Sequence, residues 1–313
     1  MPDIVVMFFL LGLLAGVVKS DLNIPKAAYD TLSLLLMLTI GLKGGMALYG
    51  NLRWSLIPEL LSVAALGALI PLALMPILRR FVRLSPADSA SIAAHYGSVS
   101  AGTFAVALAF AESRALPIGA EVTLYLVMME LPAIMVAIAL YRRHAGKEAG
   151  EAFQGIWHET LTNRGVILLA GGAVIGAMYG PREGAAVTEL FMGAFHAVLA
   201  LFLLQMGLTA AETLRPIPWY HWRLLTFALV APFVLAMAGL GVGLMLGLPM
   251  GSLMILTALA ASASYIAAPA AMRTAIPQAN IGLAMLAALG FTFPLNVIVG
   301  IPIYYQLAMW LGN

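Results

Sequence analysis

One apolar stretch of this chain is interrupted at residues 95–103, which read His95-Tyr96-Gly97-Ser98-Val99-Ser100-Ala101-Gly102-Thr103. A second is interrupted at residues 261–270, which read Ala261-Ser262-Ala263-Ser264-Tyr265-Ile266-Ala267-Ala268-Pro269-Ala270. Glycine and serine weaken a helix, and Pro269 lacks the N–H that would bind a carbonyl one turn earlier. Within a membrane, irregular backbone is tolerated only where it faces protein or a water-filled cavity. The two stretches therefore predict a pair of broken membrane helices around a polar site.

The composition of the whole chain supports a membrane protein. Hydrophobic residues make up 62% of its 313 residues and charged residues only 10%, against roughly 45–50% and 25% in soluble domains. This balance excludes a soluble enzyme, a nucleic-acid binder and a disordered chain. The chain has no cysteine, and neither a hydrolase, zinc-protease or phosphate-loop motif nor metal-ligand spacing of histidines occurs. We predict no enzyme, with no catalytic residue, no metal site and no cofactor.

Ten stretches are long and apolar enough for a transmembrane helix of about 17–25 residues. They lie at 3–19, 28–49, 55–78, 89–111, 119–141, 165–180, 187–209, 222–247, 252–274 and 279–311. No basic residues precede the first, so we expect a retained helix rather than a signal peptide. The sequence predicts an all-α, multi-pass protein of the plasma (inner) membrane.

Basic residues predict the orientation. Loops on one side hold twelve of the 16 Lys and Arg residues, namely Lys19, Lys26, Arg79, Arg80, Arg83, Arg142, Arg143, Lys147, Arg164, Arg215, Arg223 and Arg273. The other side holds Lys43, Arg53, Arg114 and Arg182. Because cytoplasmic loops are enriched in Lys and Arg, we expect the first side, with segment 142–164, in the cytoplasm and both termini outside.

The two halves of the chain resemble each other at offsets of 160–166 residues. The matches pair Gly12 and Gly16 with Gly172 and Gly176, Ile40-Gly41-Leu42 with Met206-Gly207-Leu208, Pro71 with Pro232, Ser98-Val99-Ser100 with Ser262-Ala263-Ser264, and Leu131-Pro132 with Phe293-Pro294. We predict a five-span repeat at 1–141, a connecting segment at 142–164 and a second repeat at 165–313. Five is odd, so the second repeat would be inverted, as is common in secondary transporters.

A broken membrane helix can bind an anion. Its second half begins with free N–H groups and the positive end of the helix dipole. The candidate substrate-binding residues are Gly97, Ser98, Ser100, Ala101, Gly102, Thr103, Ser262, Ser264, Tyr265, Ile266 and Ala267. An intramembrane carboxylate is costly and usually functional, so Glu130, with Ser100 and Ser264, is the candidate coupling-ion site. We interpret Lys43 as a snorkelling lysine and His95 as a hydrogen-bonded core histidine.

Five segments carry a resemblance to a known family: Ile40–Ala47, Tyr96–Thr103, Glu130–Ala133, Ala261–Pro269 and Ile276–Asn280. Together they resemble the SbtA-type sodium-dependent bicarbonate transporters. The resemblance implies ten spans in two inverted repeats, with spans 1, 2, 6 and 7 as a gate domain and the others as a core whose broken spans 4 and 9 cross. It implies bicarbonate and sodium at that crossing, at Ser98, Ser100, Thr103, Ser262 and Ser264. It also implies a homotrimer and a PII-like cytoplasmic regulator, which we expect only weakly because segment 142–164 is short.

Four positions depart from the family pattern. Tyr265 and Ala267 stand where the family has aspartate and serine, Lys43 stands for threonine, and Glu130 stands for aspartate. We expect a secondary transporter that imports bicarbonate or a similar small anion by symport with sodium. The departures leave proton coupling through Glu130 open. Two other functions also stay open: an organic-anion symporter of the bile-acid-transporter type and an uncoupled anion channel.

Overall fold

The computed structural model describes residues 3–145, 162–214 and 219–312. Every regular element in these ranges is a helix. The elements are α1 (Ile4–Val17), α2 (Lys26–Leu48), α3 (Leu56–Ile77), α4 (Pro86–Gly97), α5 (Ala101–Ser113), α6 (Leu124–Ala145), α7 (Arg164–Glu183), α8 (Ala185–Thr213), α9 (Trp222–Met245), α10 (Met250–Ala260), α11 (Ala267–Ala275) and α12 (Ile281–Leu311). Most of the predicted connecting segment, together with Lys147 and Arg215, lies outside the described residues.

The described helices confirm an all-helical, multi-pass membrane protein. Eight helical segments in the described ranges are long and apolar enough to cross a membrane. Two further apolar helices, α1 and α10, are shorter, with 14 and 11 residues. The count of ten spans therefore stays a prediction.

Local sequence explains where several helices begin and end. The side chains of Asp3, Ser85 and Asn163 accept a hydrogen bond from a first-turn N–H of α1, α4 and α7, which satisfies a donor that has no partner inside the helix. In α7, Gly180 takes a φ of +63° before Pro181. Only glycine adopts this backbone easily, so α7 turns there, where the apolar stretch was predicted to end.

The predicted breaks occur in the centre of the molecule. The first separates α4 from α5 at residues 98–100, and the second separates α10 from α11 at residues 261–266. Residues 102–111 of α5 and 251–260 of α10 are all buried. The broken helices thus form the protein core, and the continuous helices surround them.

The surrounding helices pack in two groups. Helix α1 packs on α8, and α2 packs on both α7 and α8. Helix α3 packs on α4 and α6, while α9 packs on α10 and α12. Glycines bring the first set close together: a Cβ at Gly12 would overlap the carbonyl of Leu204, and one at Gly45 would overlap the carbonyl of Ala173. Small residues at such contacts are typical of membrane helices.

The last helix, α12, is continuous but not uniform. It widens into π-helical turns at Leu286–Thr292 and Asn296–Gly300. Pro294 and Pro302 each remove one backbone donor from this helix, and local π turns can satisfy the backbone groups that proline leaves free in a membrane helix. The helix therefore absorbs both prolines and still reaches Leu311.

Candidate binding site at the helix breaks

The first break ends in a serine cap. Ser100 has an extended backbone, and its Oγ accepts a hydrogen bond of 3.0 Å from the N–H of Thr103. The Ser100 carbonyl accepts the N–H of Phe104 at 2.9 Å. Among the described residues, the N–H of Ala101 has no hydrogen-bond partner, whereas the backbone of Gly102 faces the Tyr265 hydroxyl. The start of α5 therefore presents one free donor at the positive end of the helix, beside a contact with Tyr265.

The second break uses its serines in a similar way. The Ser262 hydroxyl donates to the carbonyl of Leu259 at 2.8 Å. The Ser264 Oγ accepts a bond of 3.2 Å from the N–H of Ala268, in the first turn of α11. Ser100 and Ser264, which match in the two halves of the sequence, thus both support the start of the helix that follows their break.

Two hydrogen bonds join the breaks directly. The N–H of Ser100 donates to the Oγ of Ser262 at 2.9 Å, and the N–H of Ser264 donates to the carbonyl of His95 at 2.7 Å. All four residues are buried. The two interrupted helices therefore meet where each has lost its own backbone hydrogen bonds, and each break satisfies donors of the other.

A cavity of about 30 Å³ lies beside the breaks. Seven predicted site residues line it, namely Ser100, Ala101, Ser264, Tyr265, Ile266, Ala267 and Glu130. Most of the remaining wall comes from α2 and the start of α7, including Ser33, Met37 and Arg164, and Val99 and Leu126 complete it. Arg164 is held there by an ion pair of 2.9 Å with Asp30. The cavity therefore lies between the broken helices and the α2–α7 pair, and it extends to the end of α7 that carries Arg164.

The other predicted site residues lie behind this cavity wall. Gly97, Ser98, Gly102, Thr103 and Ser262 are buried and do not line the cavity. The hydroxyl groups of Ser98 and Thr103 have no hydrogen-bond partner among the described residues. Buried polar atoms without a partner are rare in folded proteins. Two such groups at the first break are consistent with a site that receives a polar ligand.

A comparison with known protein families identifies the family of the chain. Residues 4–309 match the model of the Na+-dependent bicarbonate transporter superfamily. The chain belongs to this superfamily. Among curated individual proteins, no match was found.

Tyr265 lies in the second break, where the resemblance to the SbtA-type transporters implies an aspartate. Its ring packs edge-on against Phe293, with 5.2 Å between ring centroids. Its hydroxyl lies against Gly102, so close that a Cβ at Gly102 would overlap it. The tyrosine therefore projects from the second break onto the first turn of α5, beside the free N–H of Ala101. A phenol at this point can donate a hydrogen bond to an anion, but it supplies no anionic oxygen.

Glu130 is the carboxyl group of the cavity. It lies in α6, only 8% exposed, and lines the cavity together with Ser100 and Ser264. Pro132 two residues later cannot donate to the carbonyl of Met128, which leaves a backbone oxygen free on the same turn. Glu130 thus combines an ionisable carboxyl group, a neighbouring free carbonyl and access to the cavity.

The structure corrects one interpretation of the sequence. Lys43 does not snorkel alone: its ammonium group forms an ion pair with Glu112 and lies 4.9 Å from the ring centroid of Phe195. Lys43 is ten residues beyond Ser33 on α2, which is about 15 Å along the helix. The ion pair therefore joins α2 to the end of α5 on the side away from the cavity.

His95 matches its prediction only in part. It is fully buried, and its Nδ1 lies 2.6 Å from the carbonyl of Ser91, as expected of a core histidine. Its Nε2 has no partner among the described residues. Because the His95 carbonyl binds Ser264, this residue supports the second break through its backbone.

Sequence reasoning missed Asn296 and its neighbours on α12. The Asn296 amide donates to the carbonyl of Ala261 at 2.8 Å, and Tyr304 donates to Asn296 at 2.7 Å. Thr292 bonds the hydroxyl of Tyr96 at 2.6 Å. These residues satisfy polar groups beside both breaks. The available signal was an amide in an apolar helix, which is costly unless it is paired.

Proposed function

We propose that the protein is a secondary transporter that imports bicarbonate together with a cation. Membership of the bicarbonate transporter superfamily supports the substrate and the coupling. The observation that carries the proposal is the mutual hydrogen bonding of the two breaks through Ser100, Ser262, Ser264 and His95. Paired broken helices near the midplane are the usual binding-site design of such transporters.

The anion would bind at the start of α5. The N–H of Ala101 supplies a donor at the positive end of the helix, and the Tyr265 hydroxyl, which lies against Gly102, supplies a second beside it. The cavity of about 30 Å³ suits a small inorganic ion. An organic anion of drug size needs roughly 300–1,000 Å³. The cavity size therefore supports bicarbonate over a bile-acid-like substrate.

The cation would bind at Glu130. Hard cations such as sodium prefer oxygen ligands, and this site offers the Glu130 carboxylate together with the hydroxyls of Ser100 and Ser264. Superfamily membership supports sodium as the driving cation. A proton on the Glu130 carboxyl group is the alternative, because Tyr265 replaces the aspartate that the family pattern has at that position.

We also propose that the fold consists of two inverted five-helix repeats. The glycine contacts support this symmetry. Gly12 and Gly16 of α1 pack on α8, where the nearby small residues are Gly207 and Ala211. Their repeat equivalents, Gly172 and Gly176 of α7, pack on α2, where Gly41 and Gly45 are the equivalents of Gly207 and Ala211. A two-fold relation between the halves would convert one contact into the other.

Under this proposal α1, α2, α7 and α8 form the gate domain, and the helices around the breaks form the core. Transport would follow from movement of the core relative to the gate, with the cavity reached alternately from each side. The excess of basic residues near Arg164 supports a cytoplasmic location for that end of the cavity. Both termini would then lie outside the plasma membrane. A homotrimer is proposed by resemblance to the family.

Uptake of labelled bicarbonate into proteoliposomes tests the proposal. An inward sodium gradient should stimulate uptake, and an inward proton gradient should not. Stimulation by a proton gradient alone would indicate that protons, carried by Glu130, drive transport in place of sodium. Equal uptake with and without every cation gradient would overturn secondary transport.

A double variant tests the site. Ser100→Ala with Ser264→Ala removes the serine hydroxyls that the two breaks contribute to the cavity and should abolish uptake while the protein remains in the membrane. Ser113→Ala with Ser62→Ala is the matched control, because each of these hydroxyls bonds only a carbonyl of its own helix. Normal uptake by the first double variant would refute the site assignment.

A further inference from the structure

A groove separate from the transport site runs between the end of α3 and the start of α9. Its volume is about 520 Å³. Its apolar wall comes from both helices and includes Leu74, Ile77, Trp222, Val234 and Leu235. A smaller pocket of about 350 Å³ joins its end and shares Val82, Arg83, Trp222 and Arg223 with it. The groove is therefore long and apolar, and it has one polar end.

Three arginines surround the polar end. Arg80, Arg83 and Arg223 all line the groove. In the ranges that the structure describes, the ion pairs are Lys43–Glu112 and Arg164–Asp30, and neither involves these arginines. The acidic residue nearest in sequence, Asp88, bonds the N–H of Asn280 at 2.7 Å and the Ser85 hydroxyl at 2.7 Å. The groove end thus carries three positive charges that no described carboxylate neutralises.

The backbone at Arg83 determines how this residue can be substituted. Arg83 ends the π-helical turn after α3 in the left-handed conformation, with a φ of +65°. Glycine and asparagine accept this conformation most readily. Asparagine is therefore the substitution that removes the charge and keeps the turn.

The surrounding residues locate the groove in one half of the bilayer. Trp219, Tyr220 and Trp222 are 71%, 80% and 59% exposed beside the arginines, as in the aromatic belts of membrane interfaces. Leu235 lies thirteen residues beyond Trp222, about 20 Å along α9. Half of the hydrocarbon core is roughly 15 Å thick. The groove therefore extends from the interface through the depth of one leaflet.

We propose that this groove binds an anionic phospholipid. The phosphodiester group would bind Arg80, Arg83 and Arg223, and an acyl chain would lie along α3 and α9. Basic pockets between membrane helices are suited to such headgroups. The proposal requires only that the chain spans a membrane, so it is independent of the transported ion. Charge complementarity favours an anionic lipid over a zwitterionic lipid or a second copy of this chain, whose matching surface would repeat the same positive charges.

Native mass spectrometry of the purified protein in mild detergent tests the proposal. We expect phosphatidylglycerol to bind at least tenfold more tightly than phosphatidylcholine. Each arginine near an anionic lipid contributes roughly a fivefold gain in affinity. The double variant Arg83→Asn with Arg223→Gln should therefore weaken phosphatidylglycerol binding about 25-fold. Asparagine accepts the left-handed backbone, so this variant preserves the turn.

Two controls separate a built site from general lipid contact. Arg53→Gln with Arg182→Gln removes two exposed arginines elsewhere and should leave the affinity unchanged. Val234→Trp would fill the groove, whereas Val187→Trp alters an equally exposed position on α8; only the first should weaken binding. Equal affinity for the two lipids, or equal losses in both arginine pairs, would overturn the proposal. Full displacement of the lipid by inorganic phosphate, or groove-dependent dimers without lipid, would also overturn it.

Discussion

The contact between Tyr265 and Gly102 provides a sharp test of the site, because it joins the two breaks through side chains. In Gly102→Ala the new methyl group would overlap the Tyr265 hydroxyl and lie 3.1 Å from a ring carbon of Phe293 and 3.2 Å from one of Phe202. These two rings prevent the methyl group from moving away from the Tyr265 hydroxyl. Overpacking of a buried site costs about 1–3 kcal/mol, and two rigid rings favour the upper end.

The expected magnitude includes an opposing effect of the helix. Alanine is better than glycine inside a helix by roughly 0.5–1 kcal/mol. Gly102→Ala should therefore lower the free energy of unfolding by about 2 kcal/mol. In a Tyr265→Phe background the overlapping hydroxyl is absent, so the same change should be close to neutral. The two substitutions would then show a coupling free energy of about 2 kcal/mol, well above additivity for independent sites.

The assay is the free energy of unfolding of the four proteins of this cycle, measured in lipid bicelles by titration with a denaturing detergent. Gly193→Ala on α8 is the matched control, because open space surrounds that glycine, and it should be neutral or slightly stabilising. An equal effect of Gly102→Ala with tyrosine and with phenylalanine at position 265 would refute the reasoning. The Tyr265 hydroxyl would then not lie against the start of α5.

Three further outcomes are expected. Ser262→Ala should cost about 1–3 kcal/mol of unfolding free energy, because the buried N–H of Ser100 loses its acceptor; a change below 0.5 kcal/mol in the same bicelle titration would contradict that bond. Glu130→Gln should remove stimulation of bicarbonate uptake by every cation gradient, since an amide carries neither a charge nor a transferable proton, and persistent stimulation would contradict its coupling role. Lys43→Gln should lower the free energy of unfolding by less than about 1 kcal/mol, because the pair with Glu112 is partly exposed. The charge-reversed pair Lys43→Glu with Glu112→Lys should restore that loss. A larger loss that the reversed pair does not restore would show another role for Lys43.

The sequence predicted the elements whose signal is local. The breaks fall inside the predicted stretches, at residues 98–100 and 261–266, because small residues, hydroxyls and Pro269 weaken a helix wherever they occur. Glu130 was predicted to be functional because a carboxyl group within a membrane helix is energetically costly and usually has a function. It lines the same cavity as both breaks.

The sequence could not predict contacts made by packing. The cavity wall from Ser33 and Arg164 exists only because α2 and α7 lie beside the breaks. The partner of Lys43 was missed because Glu112 is far away in the chain and ordinary for the end of a helix. Asn296 was missed because its role is to bind one carbonyl, that of Ala261, which the second break leaves without a helical partner.

The glycine contacts between α2 and α7 restrict how this protein can deform. A Cβ at Gly41 or Gly45 would meet the backbone of α7, and one at Gly176 would meet the backbone of α2. At these glycines the two backbones meet without intervening side chains. A shift of one residue along either axis would replace hydrogen atoms by larger side chains against carbonyl oxygens. The glycines therefore fix the register of α2 against α7, and under the proposed transport cycle we expect the pair to move as one rigid unit.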